Sequence, residues 1–88
     1  MHPLVVNIKT ESCDVYVGRP TKWGNPFRLK READRQEVLA NYRDYMMLTV
    51  QGQKLQGEAK IELRGKVLGC HCAPKMCHAD VLAEIANA

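Results

Sequence analysis

Three of the four cysteines and two of the three histidines lie within ten consecutive residues near the end of this 88-residue chain. They are Cys70, His71, Cys72, Cys77 and His78. Cysteine and histidine side chains are well suited to nucleophilic, redox and transition-metal chemistry near neutral pH. Apolar residues precede this segment and a helical pattern follows it. We therefore expect a strand end, a turn and a helix N-terminus, which is where α/β proteins place their ligands.

The helix N-terminus favours an anion site with a reactive side chain. Backbone amides and the helix dipole there favour a bound anion and lower the pKa of a thiol. We therefore expect Cys77 to be the most reactive cysteine, with Cys77 or His78 acting as nucleophile or general base. Cys70 and Cys72, on or just past a buried strand, are expected to react more slowly.

Two other interpretations of the same segment stay open. Cys70, Cys72, Cys77 and His78 could form a tetrahedral zinc site, since thiolate and imidazole are the usual ligands of structural zinc. The Cys-x-Cys spacing is tighter than the common Cys-x2-Cys arrangement, and the adjacent Cys77 and His78 would chelate awkwardly. The cysteines could also be buried and inert, because a thiol packs as a small hydrophobe.

A second candidate site lies in residues 18–27, which contain two glycines and two prolines. Arg19 offers a planar fork for phosphate or carboxylate, and Lys22 offers a point charge. Trp23 could stack on a base, and Asn25 could contact polar groups on its edge. Alternatively, Trp23 fills the small core while the two cations lie in solvent.

The elements that position these residues follow from apolar periodicity. Strands are predicted over 4–8, 14–17 and 66–70, and helices over 32–52, 57–63 and from about 77 to the end, with a loop over 18–29. The long helical connection between the second and third strands favours a parallel crossover. We predict one α/β domain spanning residues 1–88, with a mixed or parallel sheet of about three strands and helices packed on it. Both candidate sites would then lie at one edge of the sheet.

The composition limits the classes of protein to which this chain can belong. A content of 45% hydrophobic and 26% charged residues is typical of a globular protein. No apolar run approaches the roughly 20 residues that cross a bilayer, and the N-terminus has no secretory pattern. We therefore expect a cytoplasmic protein without a membrane partner.

The net charge is only +3, but the segment 19–31 contains five cations and no acid, namely Arg19, Lys22, Arg28, Lys30 and Arg31. Such a patch suits an anionic partner.

Residues 15–27 and 65–82 resemble the two signature blocks of the domain-of-unknown-function family 4326. Members of that family are small proteins common in bacteriophage and bacterial genomes. The blocks and their spacer cover the chain from Val15 to about Ala86. The family pattern usually has Trp where this chain has His71, and often Gly where it has Ala79. The resemblance implies a fold and a functional site, but it does not imply a particular reaction.

These observations lead to three functional hypotheses. The first is a nucleotide- or phosphate-binding protein, and potentially a nucleotide-directed enzyme, with no assigned cofactor. The second is a zinc-stabilised module that binds nucleic acid through the basic segment. The third is a phage-type protein that binds a host protein, in which case its location is the host cytoplasm.

Overall fold

A three-stranded parallel sheet forms the centre of the protein in this computed structural model. Its strands are β1 (Val5–Asn7), β2 (Val15–Tyr16) and β3 (Leu68–Cys70), in the order β1-β3-β2. Both outer strands pair with β3 in parallel, with Val5 and Val15 each opposite Leu68. The predicted α/β class and the predicted adjacency of the second and third strands are confirmed.

The structure describes residues 3–27, 30–73 and 75–88. Met1, His2, Arg28, Leu29 and Pro74 lie outside this part of the chain. The predictions about the N-terminus, the Arg28 charge and the end of the 18–29 loop therefore rest on the sequence alone at these positions.

Three α-helices accompany the sheet in the part of the chain that the structure describes. They are α1 (Arg35–Leu48), which follows a 3-10 turn over Glu32–Asp34, then α2 (Val50–Glu62) and α3 (His78–Ala86). Across residues 3–27, 30–73 and 75–88, none of the helices has the length and apolar character needed to cross a membrane.

The boundary between α1 and α2 differs from the prediction. Gly52 was expected to end the first helix, but it lies in the first turn of α2 and is buried. The hydroxyl of Thr49 caps α2 by accepting a hydrogen bond from the Gly52 amide at 2.9 Å. A Cβ atom at position 52 would overlap the backbone carbonyl of Tyr45. Glycine is present here because the two helices approach closely, rather than because a helix stops.

The core lies between the sheet and the helices. Leu68 and Cys70 of β3 are almost completely buried, as are Tyr42 and Met46 of α1 and Leu82 of α3. Leu68 and Cys70 share one face of the strand because side chains alternate along it. Gly69 faces the opposite side.

The short connection between β1 and β2 passes over that opposite side at Gly69. A Cβ atom at position 69 would lie 2.5 Å from the Sγ of Cys13 and 2.5 Å from a methyl carbon of Ile8. Segment 8–14 can therefore cross β3 at close range only because position 69 has no side chain. This crossing allows β1 and β2 to flank β3 in the same direction.

Replacing Gly69 with alanine should destabilise the protein. The added methyl group must displace the 8–14 crossing or the strand, and overpacking of this kind costs about 1–3 kcal/mol. The free energy of unfolding from urea titration measures the effect. Gly57→Ala is the matched control, because nothing lies within 4 Å of its Cβ position in α2. That control should raise the free energy of unfolding by about 0.5–1 kcal/mol. A Gly69→Ala variant as stable as the wild type would contradict the close crossing.

Candidate functional site

A cavity of about 420 Å³ opens at the carboxyl ends of β2 and β3. Its walls come from the first loop (residues 18–27), the second loop (residues 71–77), the start of α1 and the start of α3. Its polar, aromatic and thiol side chains are Tyr16, Arg19, Asn25, Phe27, Arg35, Cys70, His71, Cys72, Cys77 and His78. Among the described residues that line it, two are arginines and none is a carboxylate. The cavity therefore combines cationic, aromatic and thiol groups.

The second loop is held by side chains from two other elements. Asn7, at the end of β1, donates from Nδ2 to the carbonyl of Ala73 at 2.9 Å and to that of His71 at 3.3 Å. Arg35, at the start of α1, donates from Nη1 to the carbonyl of Met76 at 2.7 Å. Neither residue was predicted from the sequence as part of the site. A polar residue at the end of an apolar strand was a usable signal for Asn7, whereas nothing in the sequence distinguished Arg35.

The start of α3 is joined to the end of β2 through His78. The carboxylate of Asp80 accepts a hydrogen bond from the Cys77 amide at 2.9 Å, which fixes the first turn of α3. The Nε2 of His78 lies 2.7 Å from the carbonyl oxygen of Val17. Since a carbonyl only accepts, Nε2 carries the proton and Nδ1 of the neutral ring is a proton acceptor. Burial lowers the pKa of His78, so the ring is neutral at pH 7.

Three thiols meet at the floor of the cavity. The Sγ of Cys77 donates to the Sγ of Cys70 at 3.2 Å, and Cys72 lines the same cavity. Interaction with the Cys77 thiol, followed by that with the Arg35 guanidinium, lowers the pKa of Cys72 to about 5. Interaction with Cys77, and then the backbone amides of Cys72 and Ala73, lower the pKa of Cys70 to about 6. Because Cys77 carries one S–H, it donates to one of these sulfur atoms at a time. The cluster therefore holds a thiolate next to a protonated Cys77.

The prediction that the helix N-terminus lowers the pKa of Cys77 is wrong. Hydrogen bonds to Cys70 and then Cys72, together with burial, raise the pKa of Cys77 instead. Cys77 is also only 3% exposed, whereas Cys72 is half-buried. The neighbouring thiols outweigh the helix dipole because they contact Cys77 directly. Cys72 is thus the accessible thiolate of the cluster.

The zinc hypothesis for Cys70, Cys72, Cys77 and His78 gains no support from the arrangement of these side chains. Within the described ranges, no three or more His, Cys, Asp or Glu side chains are arranged to hold a metal ion. His78 directs its Nε2 to the Val17 carbonyl, which leaves Nδ1 as the ring nitrogen that could bind a ligand.

Two of the four ligand-binding residues predicted in the first loop line the cavity. The Nε of Arg19 donates to the carbonyl of Asn25 at 3.1 Å, which holds the guanidinium against the loop. The Oδ1 of the buried Asn25 accepts a hydrogen bond from the Phe27 amide at 2.8 Å. Its Nδ2 is consequently the group that can donate to a ligand.

Lys22 and Trp23 lie elsewhere and anchor the loop. The Nζ of Lys22 pairs with Glu58 at 2.9 Å and Glu62 at 2.8 Å, both on α2. Trp23 is 4% exposed, and its carbonyl accepts a hydrogen bond from the Tyr42 hydroxyl at 3.0 Å. Neither residue is part of the cavity wall, so their placement favours the alternative in which Trp23 fills the core.

The fold and the site define a small α/β protein with a pocket at the carboxyl edge of a parallel sheet. The chain belongs to the family described as Domain of unknown function (DUF4326), which matches residues 6–88.

Two viral proteins are among its relatives. An uncharacterized 12.4 kDa protein of Enterobacteria phage T4, from the nrdA-td intergenic region, is 32% identical over 83 residues, covering 94% of this chain and 76% of the relative. An uncharacterized protein of Acanthamoeba polyphaga mimivirus is 29% identical over 107 residues, covering 94% and 78% respectively. No solved structure matches the chain significantly.

Alkylation at controlled pH should label Cys72 before the other three cysteines. Because its pKa is lowered to about 5, the labelling rate should rise as the pH increases through 5 and stay level above it. An ordinary cysteine instead gains reactivity as the pH rises through about 8.5. Peptide mapping after short exposures to iodoacetamide measures the rate at each cysteine.

The Arg35→Met variant tests the electrostatic part of this expectation. Loss of the guanidinium should raise the midpoint of the Cys72 labelling profile by about one pH unit. Arg31→Met is the matched control, because Arg31 pairs with Asp34 at 3.2 Å and does not line the cavity. Equal midpoints in all three proteins, or preferential labelling of Cys77, would contradict the described cluster.

Proposed function

We propose that the cavity binds a small anionic ligand that carries a flat ring, namely a nucleotide. The lining of the cavity supports an anionic ligand, because its described residues include two guanidinium groups and no carboxylate. The guanidinium groups attract anions, and the Cys72 thiolate offsets part of their positive charge. The volume of about 420 Å³ also falls in the usual range for small-ligand sites.

Arg19 is the main anion-binding group in this proposal. Its hydrogen bond to Asn25 uses one of the five N–H donors of the guanidinium, so a phosphate can be bound through the remaining ones. Arg35 contributes less, because Glu32 accepts from its Nε at 3.0 Å and from its Nη2 at 2.8 Å. The Arg35 charge is therefore largely neutralised before any ligand arrives.

The ring of the ligand would contact the aromatic side of the cavity. Tyr16 and His71 pack edge to face with their ring centroids 5.7 Å apart, and the exposed ring of Phe27 also lines the cavity. Stacking on aromatic side chains suits any base, because every base has a π-face. The Nδ2 group of Asn25 supplies a donor for a carbonyl on the ring edge.

If the site is catalytic, His78 is the group that would move a proton. Its imidazole is neutral, its Nε2 is fixed on the Val17 carbonyl, and Nδ1 can accept a proton from a ligand hydroxyl or water. Cys77 is excluded from the role of nucleophile in this proposal, since it is buried and its pKa is raised. The enzyme would act on a nucleotide or nucleoside through general-base catalysis.

A nucleic-acid backbone has less support as the partner. The Lys22 charge is neutralised by Glu58 and Glu62, and the Arg31 charge by Asp34. The basic segment therefore presents fewer free charges to a polyanion than its sequence suggests.

Calorimetric titration with a panel of nucleoside mono-, di- and triphosphates tests the proposal. At least one should bind, and Arg19→Met should weaken its binding about tenfold or more, the value of a charge-assisted hydrogen bond. Lys22→Met is the matched control, because it removes a cation from the same loop but outside the cavity wall. Circular dichroism establishes that both variants are folded. Absence of binding by the whole panel, or equal losses in the two variants, would refute the proposed site.

A further inference from the structure

The thiol cluster at the floor of the cavity can do chemistry that nucleotide binding does not need. Cys70, Cys72 and Cys77 all line this one cavity, and the Cys70 and Cys77 sulfur atoms lie 3.2 Å apart. Two of the three thiols are buried, and Cys72 is half-buried. A sulfur atom that can be reached from the cavity thus shares its walls with two less exposed sulfur atoms.

We infer that this cluster is a redox site, in which Cys72 is attacked by a hydroperoxide that enters the cavity and Cys77 resolves the product as a disulfide. The assignment of the two roles follows from position. Cys72 is the most exposed of the three cysteines that line the cavity, and Arg35 lines the same cavity, where its guanidinium can stabilise negative charge. Cys77, at the start of α3, lines the cavity with only 3% of its surface exposed and is therefore less accessible to an incoming oxidant.

The reaction balances in two steps. In the first, the Cys72 thiolate attacks one peroxide oxygen, an S–O bond forms, the O–O bond breaks, and hydroxide or alkoxide leaves. In the second, the Cys77 sulfur attacks the Cys72 sulfenic acid, an S–S bond forms and hydroxide leaves. The two thiols lose two electrons in total, and hydrogen peroxide is reduced to two molecules of water.

Cys70 supplies the proton acceptor for the second step. Its sulfur accepts the Cys77 thiol proton across the 3.2 Å contact, so Cys77 can attack as a thiolate despite its burial. Cys70 is therefore a positioning and proton-accepting residue, while Cys72 and Cys77 form the disulfide. This inference does not depend on the proposed nucleotide, because the test is carried out without any ligand.

The primary experiment uses the wild-type protein and one equivalent of hydrogen peroxide at pH 7. Samples are quenched in acid over time, alkylated and mapped by mass spectrometry. The first disulfide should join Cys72 to Cys77 and should revert with dithiothreitol. Cys13, half-buried on the other face of β3, is the internal reference and should be oxidised at least about tenfold more slowly, because it does not line the cavity. Oxidation of Cys13 at the same rate as Cys72, or a wild-type protein with no disulfide, would overturn the inference.

Three variants separate the roles of the cysteines. Cys77→Ser should stop at the sulfenic acid of Cys72, which dimedone traps, and Cys72→Ser should lose the fast oxidation. Cys70→Ser should still form the Cys72–Cys77 disulfide, with the second step slowed about tenfold or more by loss of the proton acceptor. Disulfide formation at wild-type rate in Cys77→Ser would overturn the resolving role. Each variant is accompanied by its thermal midpoint, and the wild-type mapping decides the question even if one variant does not fold.

Discussion

Parallel pairing of both outer strands with β3 is the constraint on which the site depends. Since β2 and β3 run in the same direction, the loops that follow them leave the sheet at one edge. The pairing in turn requires the 8–14 segment to cross β3 closely, which the missing side chain of Gly69 allows. A local packing condition on the far side of the sheet therefore determines whether Arg19 and the thiol cluster share a cavity on the near side.

The same geometry explains the electrostatics of the site. The end of β3 delivers Cys70 and Cys72, while the start of α3 delivers Cys77 behind them. Once the three thiols share one cavity, Cys77, which donates its S–H, stays protonated, while the pKa values of Cys70 and Cys72 are lowered. Direct hydrogen bonds of this kind act over shorter distances than a helix dipole, and they therefore decide which cysteine is acidic.

The sequence predicted those features that depend on the periodicity of apolar residues or on the clustering of cysteine and histidine. The strand near Val15, the buried third strand and the shared edge were predictable from apolar runs and from the long helical connection. The end of α1 was not, because Gly52 marks a close helix contact that only the fold reveals. Cys77 was correctly located at the start of α3, but its acidity depends on neighbours whose distances the sequence does not encode. Arg35 could not be foreseen at all, since its contact with the second loop spans the whole helical connection.

The most direct test of the account follows backbone amide signals of the labelled protein while a nucleoside monophosphate is added. The central claim is that the first and second loops form one binding site. The account predicts that amides of Gly18 to Asn25 and of Cys72 to His78 shift together with one Kd. Amides on the exposed side of α2, such as Gln53 and Gly57, should not change. Shifts confined to one loop, different Kd values for the two loops, or no saturable change would contradict it.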